Sequence, residues 1–238
     1  MSAVAGRRPA PPAFMSNPPK TDPATPMTPE AFRRATGVSR ETLSRLETFA
    51  GILTHWQSRV NLVGAATVAH MWRRHMLDSA QLVAYLPPGV RIITDLGSGA
   101  GFPGLVLAIM LGIETHLIEA NKRKCAFLRE AARATGTMVE IHEGRAESLV
   151  PWASDAITAR AVAPLTRLLA LAEPFVVAGG AAGGAAGRDG GPVCLFHKGR
   201  GVEEELTESQ KKWNMQLERF ASESGDGTIL RIRGLSRE

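Results

Sequence analysis

An α/β fold built on one mostly parallel sheet of six or seven strands, preceded by a helical segment, is what the sequence predicts. Three observations carry this. Strand-like and helix-like runs alternate from residue 90 onward, a glycine loop joins the first strand of that series to its first helix, and an apolar repeat of helical period fills much of residues 29–88. A length of 238 residues with 44% hydrophobic side chains gives one domain with a full core.

Residues 1–28 are rich in Pro, Ala and Thr without apolar periodicity, so a disordered N-terminal extension is expected there. Thr28, ahead of Pro29 and Glu30, offers a helix cap, and Leu43, Leu46, Phe49, Ala50, Leu53 and Trp56 then recur at three- and four-residue steps. A further helix is expected over 68–86, ended by Pro87-Pro88-Gly89. Residues 29–88 thus form a helical cap on a core at 89–238.

The core opens on a strand at 90–94, and the loop Asp95-Leu96-Gly97-Ser98-Gly99-Ala100-Gly101-Phe102-Pro103-Gly104 leads into a helix that stops at Gly112. A second strand covers 114–119, a helix 122–135, a third strand runs near 138–142, a fourth covers 155–159, and a helix covers 164–177. Residues 178–192, dominated by Gly and Ala, read as a flexible loop. A buried strand at 193–197, a helix at 202–213 and two late strands near 215–221 and 228–233 complete the series, the last two as an antiparallel edge.

The glycine loop carries the chemistry. Glycines let the backbone turn sharply and approach a ligand closely, while the helix start presents unpaired N–H groups. A dinucleotide fingerprint has the spacing G-x-G-x-x-G, with a pyrophosphate over the helix start. Here Gly97, Gly99 and Gly101 fall as G-x-G-x-G behind Asp95. A carboxylate at that place repels a pyrophosphate but can pair with an ammonium group, which favours S-adenosylmethionine over NAD. Glu119 ends the second strand at the spacing of a ribose-hydroxyl acceptor. The fold is therefore expected to be the Rossmann-like arrangement of S-adenosylmethionine-dependent methyltransferases.

Composition narrows the class further. No apolar run reaches the roughly 20 residues a bilayer requires, and no secretory signal is evident, so a cytoplasmic protein without membrane contact is expected. Cys125 and Cys194 have no C-x-x-C partner and no histidine at ligand spacing, so reduced thiols and no metal site are expected. The net charge of +5 and pI of about 9.7 favour an acidic partner, and clusters at Arg73-Arg74-His75 and along 122–133 point to nucleic acid. No aromatic ladder for extended single-stranded RNA is visible, so a folded RNA is the expected substrate.

From about residue 43 to 237 the chain resembles the RsmG (GidB) family of bacterial methyltransferases, which act on N7 of a guanosine in 16S rRNA. The motifs that carry the resemblance are Trp56 with Asn61-Leu62, Arg74-His75-Met76-Leu77-Asp78-Ser79, Asp95 through Gly104, Ala146-Glu147, Arg160-Ala161 and Lys198-Gly199. The resemblance implies cofactor contacts at Gly97, Phe102, Ala146, Glu147 and Arg160, with Gly99 in the same loop. It also implies 16S rRNA or the small ribosomal subunit as partner; a monomer is expected. Arg74, Arg123, Lys124 and Lys198 are candidate RNA contacts. Guanine N7 bears a lone pair and no proton, so no catalytic base is expected. A methyltransferase acting on another RNA and a non-catalytic RNA-binding assembly factor stay open as alternatives.

Overall fold

The computed structural model describes residues 26–181, 191–225 and 227–238. The expected N-terminal extension up to residue 25, and residues 182–190 of the expected glycine-rich loop, lie outside them. Thr28 caps α1 (Pro29–Thr36), its hydroxyl accepting from the Ala31 amide at 3.1 Å, and Ser39 does the same for α2 (Arg40–Gln57) from Thr42 at 3.0 Å.

The single helix expected over 68–86 is instead four short helical pieces. A 3₁₀ turn at Ala65–His70 leads to a π-helical stretch at Trp72–Leu77, then to α3 (Asp78–Ala80) and a second 3₁₀ turn at Gln81–Tyr85. The reason lies in burial: His75 through Leu82 are all buried, whereas a regular surface helix turns one side to water. Such widened turns recur at functional sites.

The sheet has seven strands: β1 (Ile92–Leu96), β2 (Glu114–Glu119), β3 (Glu140–Glu143), β4 (Ala156–Arg160), β5 (Val193–Lys198), β6 (Trp213–Ala221) and β7 (Thr228–Arg237). Their order is β3-β2-β1-β4-β5-β7-β6, parallel throughout except for β7, which runs antiparallel between β5 and β6. The order reverses between β1 and β4, which is where ligands sit in doubly wound folds. The connecting helices are α4 (Gly104–Leu111), α5 (Lys122–Ala134), α6 (Leu165–Ala181) and α7 (Val202–Gln210).

The helices fall on two sides. Side chains of α1, α2, α4 and α5 form one apolar cluster around Phe32, Phe49, Leu105 and Phe127, while α6 and α7 build another around Leu169, Phe175 and Phe196. Several boundaries differ from expectation, among them β7, which runs on to Arg237. Helix α6 runs on to Ala181, four residues into the expected loop, with Gly179 buried. The helix expected through residue 213 ends at Gln210, because Trp213 already pairs with Arg237 as the first residue of β6. Among the described residues no helix is long and apolar enough to cross a membrane.

Candidate functional site

The loop after β1 is built by three left-handed glycines, Gly97, Gly99 and Gly101, at φ 64°, 56° and 84°. It is tied to β2 at several points. The Ser98 amide donates to the Ile118 carbonyl at 2.9 Å, and the Gly99 amide donates to Glu119 Oε2 at 2.8 Å. Glu119 Oε1 accepts from the Asn121 amide at 2.7 Å. Each carboxylate oxygen keeps a further lone pair, so Glu119 holds the loop in place and can still accept from a ligand.

Two cavities open at the C-terminal ends of the strands. The smaller, about 240 Å³, is walled by Gly97, Glu119, Ala146, Glu147, Val162 and Arg167 among others. The larger, about 860 Å³, is bounded by Gly97, Gly99, Phe102, Arg160, His75 and Arg74, with Lys124, Lys198 and Arg200 at its wall. Of the described residues only Gly97 borders both. A Cβ at Gly97 would lie 2.8 Å from Val162 Cγ2, so the loop packs against Val162 too closely there for a side chain.

Asp95 requires a correction. Its side chain is fully buried and lines neither cavity, so it is not placed to pair with a ligand's ammonium group. It accepts from Thr158 Oγ1 at 2.6 Å, and its other oxygen faces Gly104 at the start of α4. Asp95 therefore joins β1 to β4 beneath the loop, while its Oδ2 is buried without a hydrogen-bond partner among the described residues. Burial pushes its carboxyl from 3.8 up to about 6, against the pull of Thr158, Ser98 and the Gly104 amide. The stability held by the neutral acid is complete below pH 3.8 and is lost as the pH rises through 6. A carboxamide cannot ionise, so Asp95→Asn should be more stable than the parent at pH 8 by about 2–3 kcal/mol and should lose that advantage at acid pH. Urea unfolding at both pH values measures the difference. A variant no more stable than the parent at pH 8 would contradict this account of Asp95.

Across the larger cavity, Asp78 gathers four elements. Its Oδ1 accepts from Ser222 Oγ at 2.6 Å, Ser224 Oγ at 2.7 Å and Gln81 Nε2 at 2.9 Å, and lies 3.4 Å from His197 Nε2. Its Oδ2 faces Arg160 Nη1 at 3.4 Å. Burial opposes the Asp78 charge, but His197, Arg160 and the two hydroxyls outweigh it and hold the carboxyl below its usual value. Burial, reinforced by Arg160, lowers His197 against the pull of Asp78.

Arg160 also donates to the Arg74 carbonyl at 2.9 Å, and its guanidinium lies over the Phe102 ring at 5.0 Å. Phe102 itself is 4% exposed and packs against Phe49 and His75. It is core and cavity wall together. The residue after Arg160, Ala161, has φ 55°, a strained value for a residue with a Cβ, and it borders the larger cavity. His75 does not bond Asp78 within its own turn; its Nε2 is 2.8 Å from Thr67 Oγ1. Burial, reinforced by Arg160, lowers His75 to about 3, so the ring is neutral at physiological pH.

The expected RNA-contacting cations divide. Arg74 and Lys124 border the larger cavity, whereas Arg123 lines neither. Lys198 reaches the cavity wall, but its ammonium is held by Glu205 at 2.6 Å and by the Ala163 carbonyl at 3.0 Å, so it is a strut and not a free cation. Arg200, which the sequence did not single out, is exposed at the same wall. Ala146 and Glu147 form a short 3₁₀ turn after β3, with the Glu147 carboxylate 3.2 Å from Arg167. Asp78, Gln81, Ser222 and Ser224 are the site residues missed from sequence. Only the Arg74-to-Ser79 motif signalled any of them.

Comparisons with known proteins agree with this geometry. The family model described as rRNA small subunit methyltransferase G matches residues 42–226. The ribosomal RNA small subunit methyltransferase G of Rhodospirillum rubrum is 52% identical over 212 residues, 89% of this chain and 100% of that protein. The protein of the same description from Paramagnetospirillum magneticum is 50% identical over 89% of this chain and 98% of its own length. Among solved structures, an O-methyltransferase from Bacillus cereus in complex with S-adenosylhomocysteine superposes with a TM-score of 0.51 at 15% identity, over 80% of this chain and 90% of that one. A methyltransferase from Pyrococcus furiosus gives 0.51 at 11%, over 80% and 97%. At those identities the two structures share the fold alone.

Proposed function

Because the chain belongs to the rRNA small subunit methyltransferase G family, we propose that it transfers the methyl group of S-adenosylmethionine to N7 of a guanosine in 16S rRNA, as free RNA or within the small ribosomal subunit. The observation that carries the reading is the pair of cavities meeting at Gly97. The smaller suits a nucleoside: Glu119 offers lone pairs to ribose hydroxyls, and the Ala146-Glu147 turn provides an edge for the adenine. The larger, with its basic wall, suits a nucleotide of the substrate.

Gly97, Phe102 and Arg160 would hold the methionyl end, and Gly99 holds the loop through Glu119. S-adenosylmethionine supplies an electrophilic methyl on a sulfonium. The N7 lone pair forms the new bond as the carbon–sulfur bond breaks, and the positive charge moves from sulfur to the base. No proton leaves N7, so the residues here act by placing the reactants. The ionisable groups suit that role, since Asp78 is held by Arg160 and hydroxyl donors and His75 is neutral. Arg74, Lys124 and Arg200 supply the phosphate-facing charge. A monomer is the proposed working unit, and a ribosomal substrate supports a reaction in the cytoplasm.

The test is methyl transfer from labelled S-adenosylmethionine to small subunits prepared without the modification, followed by nucleoside mass spectrometry. One methyl per subunit, on N7 of guanosine, is expected. Methyl on another atom, or none in the presence of bound cofactor, would overturn the reading.

A further inference from the structure

We propose that the chain carries a transition-metal site of the zinc type on the sheet edge, formed by His116 Nδ1, His142 Nε2 and Glu140. The register of the parallel pair β2–β3 sets His116 beside Glu140 and Ile118 beside His142, so side chains 26 residues apart in sequence meet on one face. That face is the one covered by α6, as Trp152 shows by packing on both histidine rings and, edge-on, against Phe175. The site lies toward the opposite end of the strands from the two cavities: His116 precedes Glu119 by three residues, about 10 Å along β2.

The geometry is that of a ligand set. His116 Nδ1 lies 3.0 Å from His142 Nε2 and 3.5 Å from Glu140 Oε2, and the latter two atoms are 3.8 Å apart. A point equidistant from three atoms so separated is about 2.0 Å from each, which is the bond length zinc makes to imidazole nitrogen and carboxylate oxygen. Two histidines and one glutamate also form a recognised zinc set that leaves a fourth position for water. The other nitrogen of His116 is already committed: Nε2 donates to Glu114 Oε1 at 3.0 Å. That carboxylate fixes the tautomer in which Nδ1 presents its lone pair to the ion, the arrangement that outer carboxylates give metal-bound histidines.

Access is open, since the Glu140 side chain is 66% exposed while His116 is held rigid at 8%. Of the described residues this is the one group of three such side chains whose ligand atoms converge. An ion here would fasten the edge strand β3 to β2, the strand that ends in Glu119.

The full chain, freed of metal with a chelator, is titrated with Zn²⁺ by calorimetry. One saturable site per chain is expected. Glu140→Gln changes only an exposed carboxylate and should weaken it at least tenfold, as should His142→Gln. Glu114→Gln should weaken it by about tenfold through the outer shell. Absence of saturable binding, or binding unchanged in both Glu140→Gln and His142→Gln, would overturn the site.

Discussion

Replacing Asp78 with alanine is expected to cost about 3–5 kcal/mol of folding stability, the largest effect of any single change at this site. Asp78 is 8% exposed and, together with the Arg74 carbonyl, accepts from the Arg160 guanidinium. Its loss leaves the guanidinium buried without its counter-charge and strips Ser222, Ser224 and Gln81 of a shared acceptor. The damage would spread. Asp78 and Gln81 belong to the helical cap, Arg160 ends β4, His197 lies in β5, and the two serines follow β6, so one carboxylate joins the cap to three parts of the sheet. Against a total stability of about 5–15 kcal/mol, such a loss leaves a marginal protein. Denaturant unfolding of the parent, Asp78→Ala and Asp78→Asn orders the three. The asparagine variant keeps an acceptor for the hydroxyls and should fall between. A loss below about 1 kcal/mol in Asp78→Ala would show that the network is not what holds the cap.

The second large effect concerns binding. Gly97→Ala should weaken S-adenosylmethionine by on the order of 100-fold, near 2.7 kcal/mol. A methyl group there must adopt a left-handed φ of 64° and meet Val162 Cγ2 at 2.8 Å, at the one residue bordering both cavities. The two causes can be separated. Val162→Ala added to Gly97→Ala removes the obstacle but not the backbone cost, so affinity should recover in part and stability should not. Calorimetry on the folded variants reads the first and urea unfolding the second. Undiminished affinity in Gly97→Ala would mean that the ligand does not cross this point.

Much of the architecture was legible because its signals are local. Strands β1, β2, β4 and β5 are buried on both faces, and each is followed by a helix. The glycine loop was legible for a similar reason: its glycines, Glu119 and the Ala146-Glu147 pair all fall at strand ends, where the fold gathers them. What escaped depends on register and tertiary burial. Asp95 reads in sequence as an acid facing a ligand, and only the packing of β4 and α4 around it turns it inward. The 65–85 segment has apolar residues at helical steps, but the same steps fit the mixed 3₁₀ and π turns that bury His75 and Asp78 together. Lys198 looks like a free cation until Glu205, on the following helix, folds back onto it. In the His116, Glu140 and His142 group only the Glu140-x-His142 spacing is local, and His116 joins it through the pairing of β2 with β3.

The most direct test of the central claim is a crystal structure of the full chain with S-adenosylhomocysteine. The account predicts the adenosine in the smaller cavity, its ribose hydroxyls on Glu119 and its adenine beside Ala146 and Glu147, with the amino-acid end passing Gly97 toward Phe102 and Arg160. Adenosine lodged in the larger cavity, or a ligand that makes no contact with Gly97 and Glu119, would contradict it.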